Sequence, residues 1–219
     1  MLITIDGPAG AGKTTVSRIL AQRLGYRYVD TGALYRGIAL AALGAGVDLA
    51  DDDGLKRMVT DLDIGFTIQD GDTRLMLDNH DITEKIRTPQ VTMAASTVSA
   101  RPVVREFLLK IQHTLGHAKK AVFEGRDMGT VVFPGADVKF YLDASVSVRA
   151  KRRFDEFKGH SAQDVQDVQD VEADIRRRDA DDSTRAVAPL RAAEDAIVID
   201  ATNLSVEQVV VAMLKNILP

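Results

Sequence analysis

A glycine-rich segment near the N-terminus carries the clearest chemistry in this sequence. Residues 7–14 read Gly-Pro-Ala-Gly-Ala-Gly-Lys-Thr and match the pattern G-x-x-x-x-G-K-[ST], the P-loop. Its glycines let backbone N–H groups wrap a phosphate, and the following helix points its positive end at the same place. Lys13 supplies charge for the β- and γ-phosphates, and the Thr14 hydroxyl can be a ligand of Mg²⁺. We therefore expect a nucleoside triphosphate to bind at Gly7, Pro8, Ala9, Gly10, Ala11, Gly12, Lys13, Thr14 and Thr15.

Arginines at the ends of predicted elements form a second set. Arg36 follows the run Asp-Thr-Gly-Ala-Leu-Tyr at residues 30–35, and Arg126 comes just after an apolar strand. A basic run at residues 149–153 opens one predicted helix, and residues 176–178 end the next. Ligands bind at the carboxyl ends of parallel strands, so Arg126 is well placed for an anion. For each arginine the alternative is an ordinary solvated surface residue.

Three charged residues near the predicted end of that second helix share a spacing. Arg178, Asp182 and Arg185 follow the pattern i, i+4, i+7, which places them on one face if the helix continues. They could face a phosphorylated ligand, or they could form salt bridges among themselves.

The P-loop alone does not say what happens to the nucleotide, so several classes must be weighed. A GTPase would need the guanine-reading motif Asn-Lys-x-Asp, which this sequence lacks. A motor or remodelling ATPase usually has an apolar strand that ends in an Asp–Glu pair, and none is evident. A small-molecule kinase needs arginines that hold two phosphorylated substrates, and this chain has them.

The elements that must position these residues alternate in type. Apolar runs predict strands at residues 2–5, 28–29, 121–123, 138–142 and 196–199. Apolar residues at helical spacing predict helices at 13–24, 31–43, 101–117, 145–158, 161–178 and 206–217. Alternating strands and helices indicate an α/β fold with a parallel sheet and right-handed crossovers.

Local patterns add detail to this outline. Residues 64–68 and 74–77 flank an Asp-Gly turn at 69–72 and predict a β-hairpin within an insert at 51–87. Ser205 with Gln208 predicts a capping box for the last helix. The repeat Asp-Val-Gln drifts around a helix because its period is three, so we interpret it as a solvated surface. Its aspartates are Asp164, Asp167 and Asp170.

Composition narrows the class of protein further. The chain has 219 residues, a formal net charge of −4 and no cysteine, which excludes disulfides and thiolate metal sites. Its mild acidity disfavours a nucleic-acid polymer as partner. The apolar stretch between Arg36 and Asp48 is too short to cross a bilayer, and the N-terminus does not resemble a signal peptide. We expect a cytoplasmic monomer that contacts neither nucleic-acid polymer nor membrane.

At the level of whole motifs, the chain resembles the bacterial cytidylate kinases, the (d)CMP kinases of the nucleoside monophosphate kinase family. The resemblance rests on residues 3–14, 30–36, 124–134, 138–144 and 185–190. The most specific run is Gly-Arg-Asp-Met-Gly-Thr-Val-Val-Phe-Pro at 125–134, together with the hairpin insert.

The resemblance implies a fold, an activity and a cofactor. The fold is a five-stranded parallel sheet flanked by helices in one P-loop kinase domain, residues 1–219. Within it lie a small antiparallel NMP-binding insert at 51–87 and a helical lid at 149–185. The implied activity transfers the γ-phosphate of ATP to CMP or dCMP, giving CDP or dCDP and ADP. Mg²⁺ would accompany ATP, with Thr14 as a ligand.

The resemblance also implies roles for individual residues. Lys13, Arg126 and Arg178 would be catalytic. The substrate-binding residues would be Thr31, Tyr35, Arg36, Ser96, Arg105, Arg126, Asp127, Arg178, Asp182 and Arg185. The CMP phosphate would lie at Tyr35, Arg36 and Arg126, and the cytosine at Ser96, Arg105 and Asp127. The ribose and phosphates would face Arg178, Asp182 and Arg185. Asp127 could instead serve only as a partner for Arg126 or for a helix N-terminus.

Two other functions remain open from the sequence. One is another small-molecule P-loop kinase, acting on UMP, shikimate or dephospho-coenzyme A. The other is a nucleotide-dependent switch without an acceptor, which would bind and slowly hydrolyse its nucleotide. The arginines expected near the phosphates favour a kinase over a switch.

Overall fold

The computed structural model describes residues 1–69, 72–158 and 167–218, and the chain divides into two compact units. The first unit comprises Met1–Val29 and Ala118–Pro219, and the second comprises Asp30–His117. The expected insert at 51–87 lies within the second unit, and the expected lid at 149–185 lies within the first. Their roles as NMP-binding insert and lid stay predictions.

A five-stranded parallel sheet forms the centre of the first unit, in the order β2-β6-β1-β7-β8. Its strands are β1 (Leu2–Asp6), β2 (Arg27–Asp30), β6 (Ala121–Gly125), β7 (Val138–Asp143) and β8 (Ile197–Asp200). Every residue of β1 and β6 is buried, because these central strands are covered on both faces. The α/β prediction is confirmed, and each strand lies where an apolar run predicted one.

Among the described residues of this unit are the α-helices α1 (Lys13–Leu24), α6 (Val146–Lys158), α7 (Val168–Thr184) and α8 (Val206–Ile217). The core between sheet and helices contains Ile3 and Ile5 of β1, Leu20 of α1 and Phe140 of β7. The capping box predicted for the last helix is present, with Ser205 and Gln208 bonded reciprocally.

The second unit combines four helices with a small antiparallel sheet. The helices are α2 (Thr31–Ala45), α3 (Asp52–Thr60), α4 (Pro89–Ser99) and α5 (Pro102–His117). The strands are β3 (Ile64–Gln69), β4 (Asp72–Leu77) and β5 (His80–Asp81). The sheet packs closely on α2, since a Cβ atom at Gly37 would collide with Ile64. The antiparallel insert is confirmed and gains a third strand, while the turn at Asp70–Gly71 lies outside the described residues.

Helix α7 differs from its prediction of 161–178. Residues 159–166 lie outside the described part of the chain, Asp164 among them. Asp167 has extended backbone angles and precedes the helix as its N-cap. The helix continues past Arg178 to Thr184, because nothing in residues 179–183 breaks it. The prediction was therefore wrong at its C-terminal end, which lies six residues further along the chain.

In the described part of the chain, no helix combines the length and apolarity that a bilayer crossing would require.

Candidate active site

The P-loop connects the end of β1 to the start of α1. Gly7 has a φ of +148° and lies so close to β7 that a Cβ atom would collide with the Leu142 carbonyl oxygen. Gly12 is the left-handed N-cap of α1 and has no side chain to accept the first N–H groups of the helix. These N–H groups are therefore open to an anion. Thr14 and Thr15 lie exposed in the first turn.

Lys13 is buried inside this loop, with 7% of the residue exposed. Its ammonium donates to the Pro8 carbonyl at 2.7 Å. The pKa of Lys13 is lowered to about 7, first by burial and then by the Arg126 charge, while the charges of Glu124 and Asp6 oppose both effects. A bound phosphate would add negative charge and favour the ammonium form.

Asp6 ties β1 to the segment that follows β6. Its two carboxylate oxygens accept the N–H groups of Met128 at 2.8 Å and of Gly129 at 2.7 Å. Those residues begin a π-helical turn, Met128–Val132, directly after Arg126 and Asp127. Burial raises the pKa of Asp6 to about 6, although both N–H bonds lower it. No role was predicted for Asp6, although its position between a buried strand and the glycine-rich loop was a signal in the sequence.

The raised pKa of Asp6 predicts how stability changes with pH. The folded chain binds this proton more tightly than the unfolded chain, so stability falls as pH rises from about 4 to about 6. Relative to Asp6→Asn, which does not titrate, the native chain should lose up to about 1.4 kcal/mol per pH unit in this window. Urea unfolding of both proteins at several pH values measures the difference. If the stability of the native chain relative to Asp6→Asn stayed constant or increased as pH rises, this would contradict the burial of an ionisable Asp6.

Glu124 joins the P-loop to two strands. Its Oε1 accepts the Thr14 hydroxyl at 2.8 Å and the Tyr28 hydroxyl at 2.5 Å. Glu124 is buried at the end of β6, whereas Thr14 is exposed. No role could be predicted for Glu124 from the sequence, because its partners lie about a hundred residues away along the chain.

Arg126, Asp127, Asp182 and Arg185 come together in one network. Arg126 Nε donates to Asp182 at 2.9 Å, and Arg185 pairs with Asp127 at 3.4 Å and with Asp182 at 3.8 Å. The Arg185 and Asp127 side chains are 8% and 3% exposed. Arg185 also donates to the Ala188 carbonyl at 2.6 Å. The network therefore holds one buried guanidinium group, that of Arg185, and one half-buried group, that of Arg126. Asp182 and Arg185 do form the salt bridge that was the alternative interpretation.

The basic helix α6 contacts the P-loop backbone. Arg149 is buried and donates to the carbonyl of Ala9 at 3.0 Å and to Asp179 of α7 at 2.7 Å. Arg152 donates to the carbonyl of Ala11 at 3.3 Å. These two arginines of the expected lid hold P-loop carbonyls, and a surface role for Arg149 is wrong. Arg178 lies half-buried on α7.

In the second unit, Asp30 organises the start of α2. Its carboxylate accepts the Ala33 N–H at 3.1 Å as the helix cap and pairs with Arg36 at 2.8 Å. Thr31 is buried as the first residue of the helix. Asp30 begins the motif at residues 30–36, and no role was predicted for it, although an aspartate that precedes a helix is a recognisable N-cap signal.

Tyr35 and Arg105 meet in the core of the same unit. The Arg105 guanidinium lies over the Tyr35 ring, 5.7 Å from its centroid, and donates to the Ser99 carbonyl at 3.2 Å. Ser96 lies one turn before Ser99 on α4, and its carbonyl accepts the Ser99 hydroxyl at 2.8 Å. Arg105 is thus buried and oriented by an aromatic face, which suits a group that recognises a ligand.

These features define a class of protein. A parallel sheet, a P-loop at its central strand and buried arginines beside it are the parts of a P-loop kinase. Two solved structures share the fold over 99% of this chain and 98% of theirs. They are a shikimate kinase from Bacteroides thetaiotaomicron (TM-score 0.51, 12% identity) and an uncharacterized protein from Eubacterium ventriosum (TM-score 0.52, 11% identity).

The chain belongs to the cytidylate kinase family, whose model matches residues 3–218. It is 46% identical to the cytidylate kinase of Syntrophotalea carbinolica, over 98% of this chain and 91% of that protein. It is equally similar to the cytidylate kinase of Geobacter sulfurreducens, over 95% of this chain and 89% of that protein. The resemblance inferred from the motifs is confirmed.

Proposed function

We propose that this chain transfers the γ-phosphate of ATP to CMP or dCMP and releases CDP or dCDP and ADP. The observation that carries this proposal is a P-loop with a buried Lys13 in a chain that matches the cytidylate kinase family over nearly its whole length. Family membership disfavours shikimate, dephospho-coenzyme A and a switch without an acceptor. The likeness to a shikimate kinase is one of fold alone.

The chemistry requires alignment and charge neutralisation more than covalent work by the protein. The attacking oxygen of CMP is already an anion, so a general base is not needed. Lys13 and the N–H groups of the P-loop would bind the ATP phosphates. Arg126, Arg178 and Arg185 would neutralise charge on the transferred group. Their guanidinium groups are planar matches for phosphate, and the network with Asp182 means little reorganisation is needed.

The acceptor would be recognised by its phosphate and by its base. Tyr35 and Arg36, with Arg126, would hold the CMP phosphate, and Asp182 would face the ribose. Cytosine presents an N4 amino donor beside the N3 and O2 acceptors, whereas uracil presents an O4 acceptor and an N3–H donor. A carboxylate at Asp127 accepts from the amino group and repels O4.

Donors for the cytosine acceptors would come from Ser96 and Arg105. The guanidinium of Arg105 is already oriented by the Tyr35 ring and the Ser99 carbonyl. Thr31, which is buried at the start of α2, would also belong to the binding site for the acceptor nucleotide.

The donor set at the P-loop fits Mg²⁺. Among the described residues, no cluster of three or more His, Cys, Asp or Glu could hold a metal alone. An ion there would therefore rely on the nucleotide phosphates, with the exposed Thr14 hydroxyl as the protein ligand and Glu124 behind it. Bound Mg²⁺ would neutralise charge on the β- and γ-phosphates.

Lys13 should make nucleotide binding consume a proton. Its pKa of about 7 in the free chain means that much of the population is neutral above that pH, and bound phosphates favour the ammonium. ATP affinity should therefore fall by up to about tenfold per pH unit above pH 7. Calorimetry at about pH 8, in two buffers of different ionisation enthalpy, measures the proton uptake.

Lys13→Ala is the matched control. Whatever ATP binding this variant retains should occur without proton uptake. If the native chain takes up no proton at about pH 8, the assigned state of Lys13 is wrong.

An acceptor screen tests the proposed function. ADP release is measured with CMP, dCMP, UMP, AMP, shikimate and dephospho-coenzyme A in turn, and without acceptor. We expect release with CMP and dCMP that far exceeds the release without acceptor. Equal release in all reactions would indicate a hydrolase or switch.

Monomeric state and cytoplasmic location stay predictions from the sequence.

A further inference from the structure

Tyr28 on β2 contacts the P-loop through a carboxylate. Its hydroxyl donates to Glu124 Oε1 at 2.5 Å, and the Thr14 hydroxyl donates to the same oxygen at 2.8 Å. The aromatic ring of Tyr28 is also held in place, because the Arg18 guanidinium lies over it at 5.3 Å from the ring centroid. Arg18 is one helical turn beyond Thr14 on α1. Tyr28 therefore bridges the first turns of α1 and the end of β6.

The hydrogen bonds determine how the Thr14 hydroxyl is oriented. A hydroxyl has one hydrogen and two acceptor lone pairs. Since the hydrogen points at Glu124, the lone pairs point elsewhere, which is the state that a cation ligand requires. Without a fixed acceptor, the same hydroxyl could turn its hydrogen toward the cation.

Tyr28 determines in turn where the acceptor lies. A glutamate side chain has three rotatable bonds, and burial alone does not select one carboxylate orientation. The Tyr28 hydroxyl donates to the very oxygen that Thr14 uses, so it holds that oxygen beneath Thr14. Partners of this kind, one step behind a metal ligand, commonly tune metal affinity.

We propose that Tyr28 is a positioning residue for Mg²⁺ at the P-loop, acting through Glu124 on the Thr14 hydroxyl. The inference rests on the proposed function, in which Mg²⁺ accompanies the nucleotide. It assigns to Tyr28 a role in metal affinity and none in recognition of the acceptor nucleotide.

The test replaces Tyr28 by Phe, which removes the hydroxyl and keeps the ring under Arg18. The matched control is Tyr26→Phe in the same segment, since the Tyr26 hydroxyl makes no hydrogen bond to any residue that the structure describes. Mn²⁺ is the probe, and its binding to the complex of each protein with ADP is followed by electron paramagnetic resonance. We expect Tyr28→Phe to weaken Mn²⁺ binding about three- to tenfold, as the loss of one hydrogen bond predicts. Tyr26→Phe should leave it unchanged.

Kinetics separate a role toward the metal from general damage. In the phosphoryl-transfer assay, Tyr28→Phe should raise the half-saturating Mg²⁺ concentration by a similar factor and leave the KM for CMP unchanged. Unfolding by urea checks that both variants are folded. An unchanged Mn²⁺ affinity would overturn the proposal, and so would an equal rise in the KM for CMP.

A second variant shows whether Tyr28 acts through Glu124. Glu124→Gln should weaken Mn²⁺ binding at least as much as Tyr28→Phe, and adding Tyr28→Phe to it should change little. Additive effects would overturn the pathway through Glu124. If the native chain releases no ADP with CMP, the proposed function fails, but Mn²⁺ binding with ADP still decides the role of Tyr28.

Discussion

Lys13→Ala is expected to lower kcat by about 10²- to 10³-fold or more without unfolding the protein, because it removes a preorganised charge that stabilises the transition state. The side chain is buried, and burial lowers its pKa to about 7, so the folded chain gains little from the ammonium itself. The variant should therefore be no less stable than the native chain. Steady-state phosphoryl transfer gives kcat, and urea unfolding gives the stability.

The exposed Lys110, on α5, provides a matched control for the loss of a lysine. Lys110→Ala should keep kcat within about twofold of the native value. A folded Lys13→Ala protein with near-native turnover would show that the P-loop assignment is wrong.

Asp127→Asn should remove much of the preference for CMP over UMP. The amide can present its NH₂ to uracil O4, whereas the carboxylate repels that atom. A polar group left unpaired by the wrong base costs roughly 1–3 kcal/mol, so the ratio of kcat/KM for CMP to that for UMP should fall by about tenfold or more. Because Asp127 also pairs with Arg185, overall activity should fall too, and only the ratio isolates base recognition.

Asp182→Asn is the control that the network offers. Asp182 also pairs with Arg185 and with Arg126, so its loss disturbs the same guanidinium groups. Both activities should then decline together, with their ratio unchanged. If Asp127→Asn keeps the native ratio, or if Asp182→Asn shifts it as much, Asp127 only positions Arg185.

Local signals in the sequence were enough to predict the framework of the first unit. The strand before the P-loop, the helix after it and the capping box at Ser205 each depend on residues a few positions apart. Arg178 and Asp182 lie within α7, which continues to Thr184, and Arg185 follows as its C-cap. Contiguous motifs of this kind are read without knowledge of the tertiary fold.

The residues that sequence reasoning missed act through distant partners. Asp6 bonds N–H groups at 128 and 129, and Glu124 bonds Thr14 and Tyr28. No spacing rule links positions so far apart, since parallel strands are brought together by crossovers of variable length. Arg149 was also ambiguous, because a basic run on a helix is usually solvated. Here its guanidinium is buried among the carbonyls of Ala144 and Ala9 and the Asp179 carboxylate.

The second unit was predicted least completely. Helix α3 has nine residues and contains Gly54, so its apolar pattern is short, although Asp51 at its N-cap and the acidic first turn are helix signals. The buried residues of helix α4, Val91, Ala94, Ala95 and Val98, do have helical spacing, but two of them are alanines, which mark an apolar face less clearly than larger side chains. Helix α4 packs on α2 and helix α3 packs mainly on α5, and this tertiary contribution is absent from local propensity.

The measurement that tests the central claim most directly is the fate of the γ-phosphate. The purified chain is incubated with CMP, Mg²⁺ and ATP labelled at the γ-phosphorus, and the labelled products are separated. We expect the label in the β-phosphate of CDP, with one ADP formed for each CDP. Label found only in inorganic phosphate, or in CDP no faster than without the chain, would contradict the assignment of this protein as a kinase of CMP.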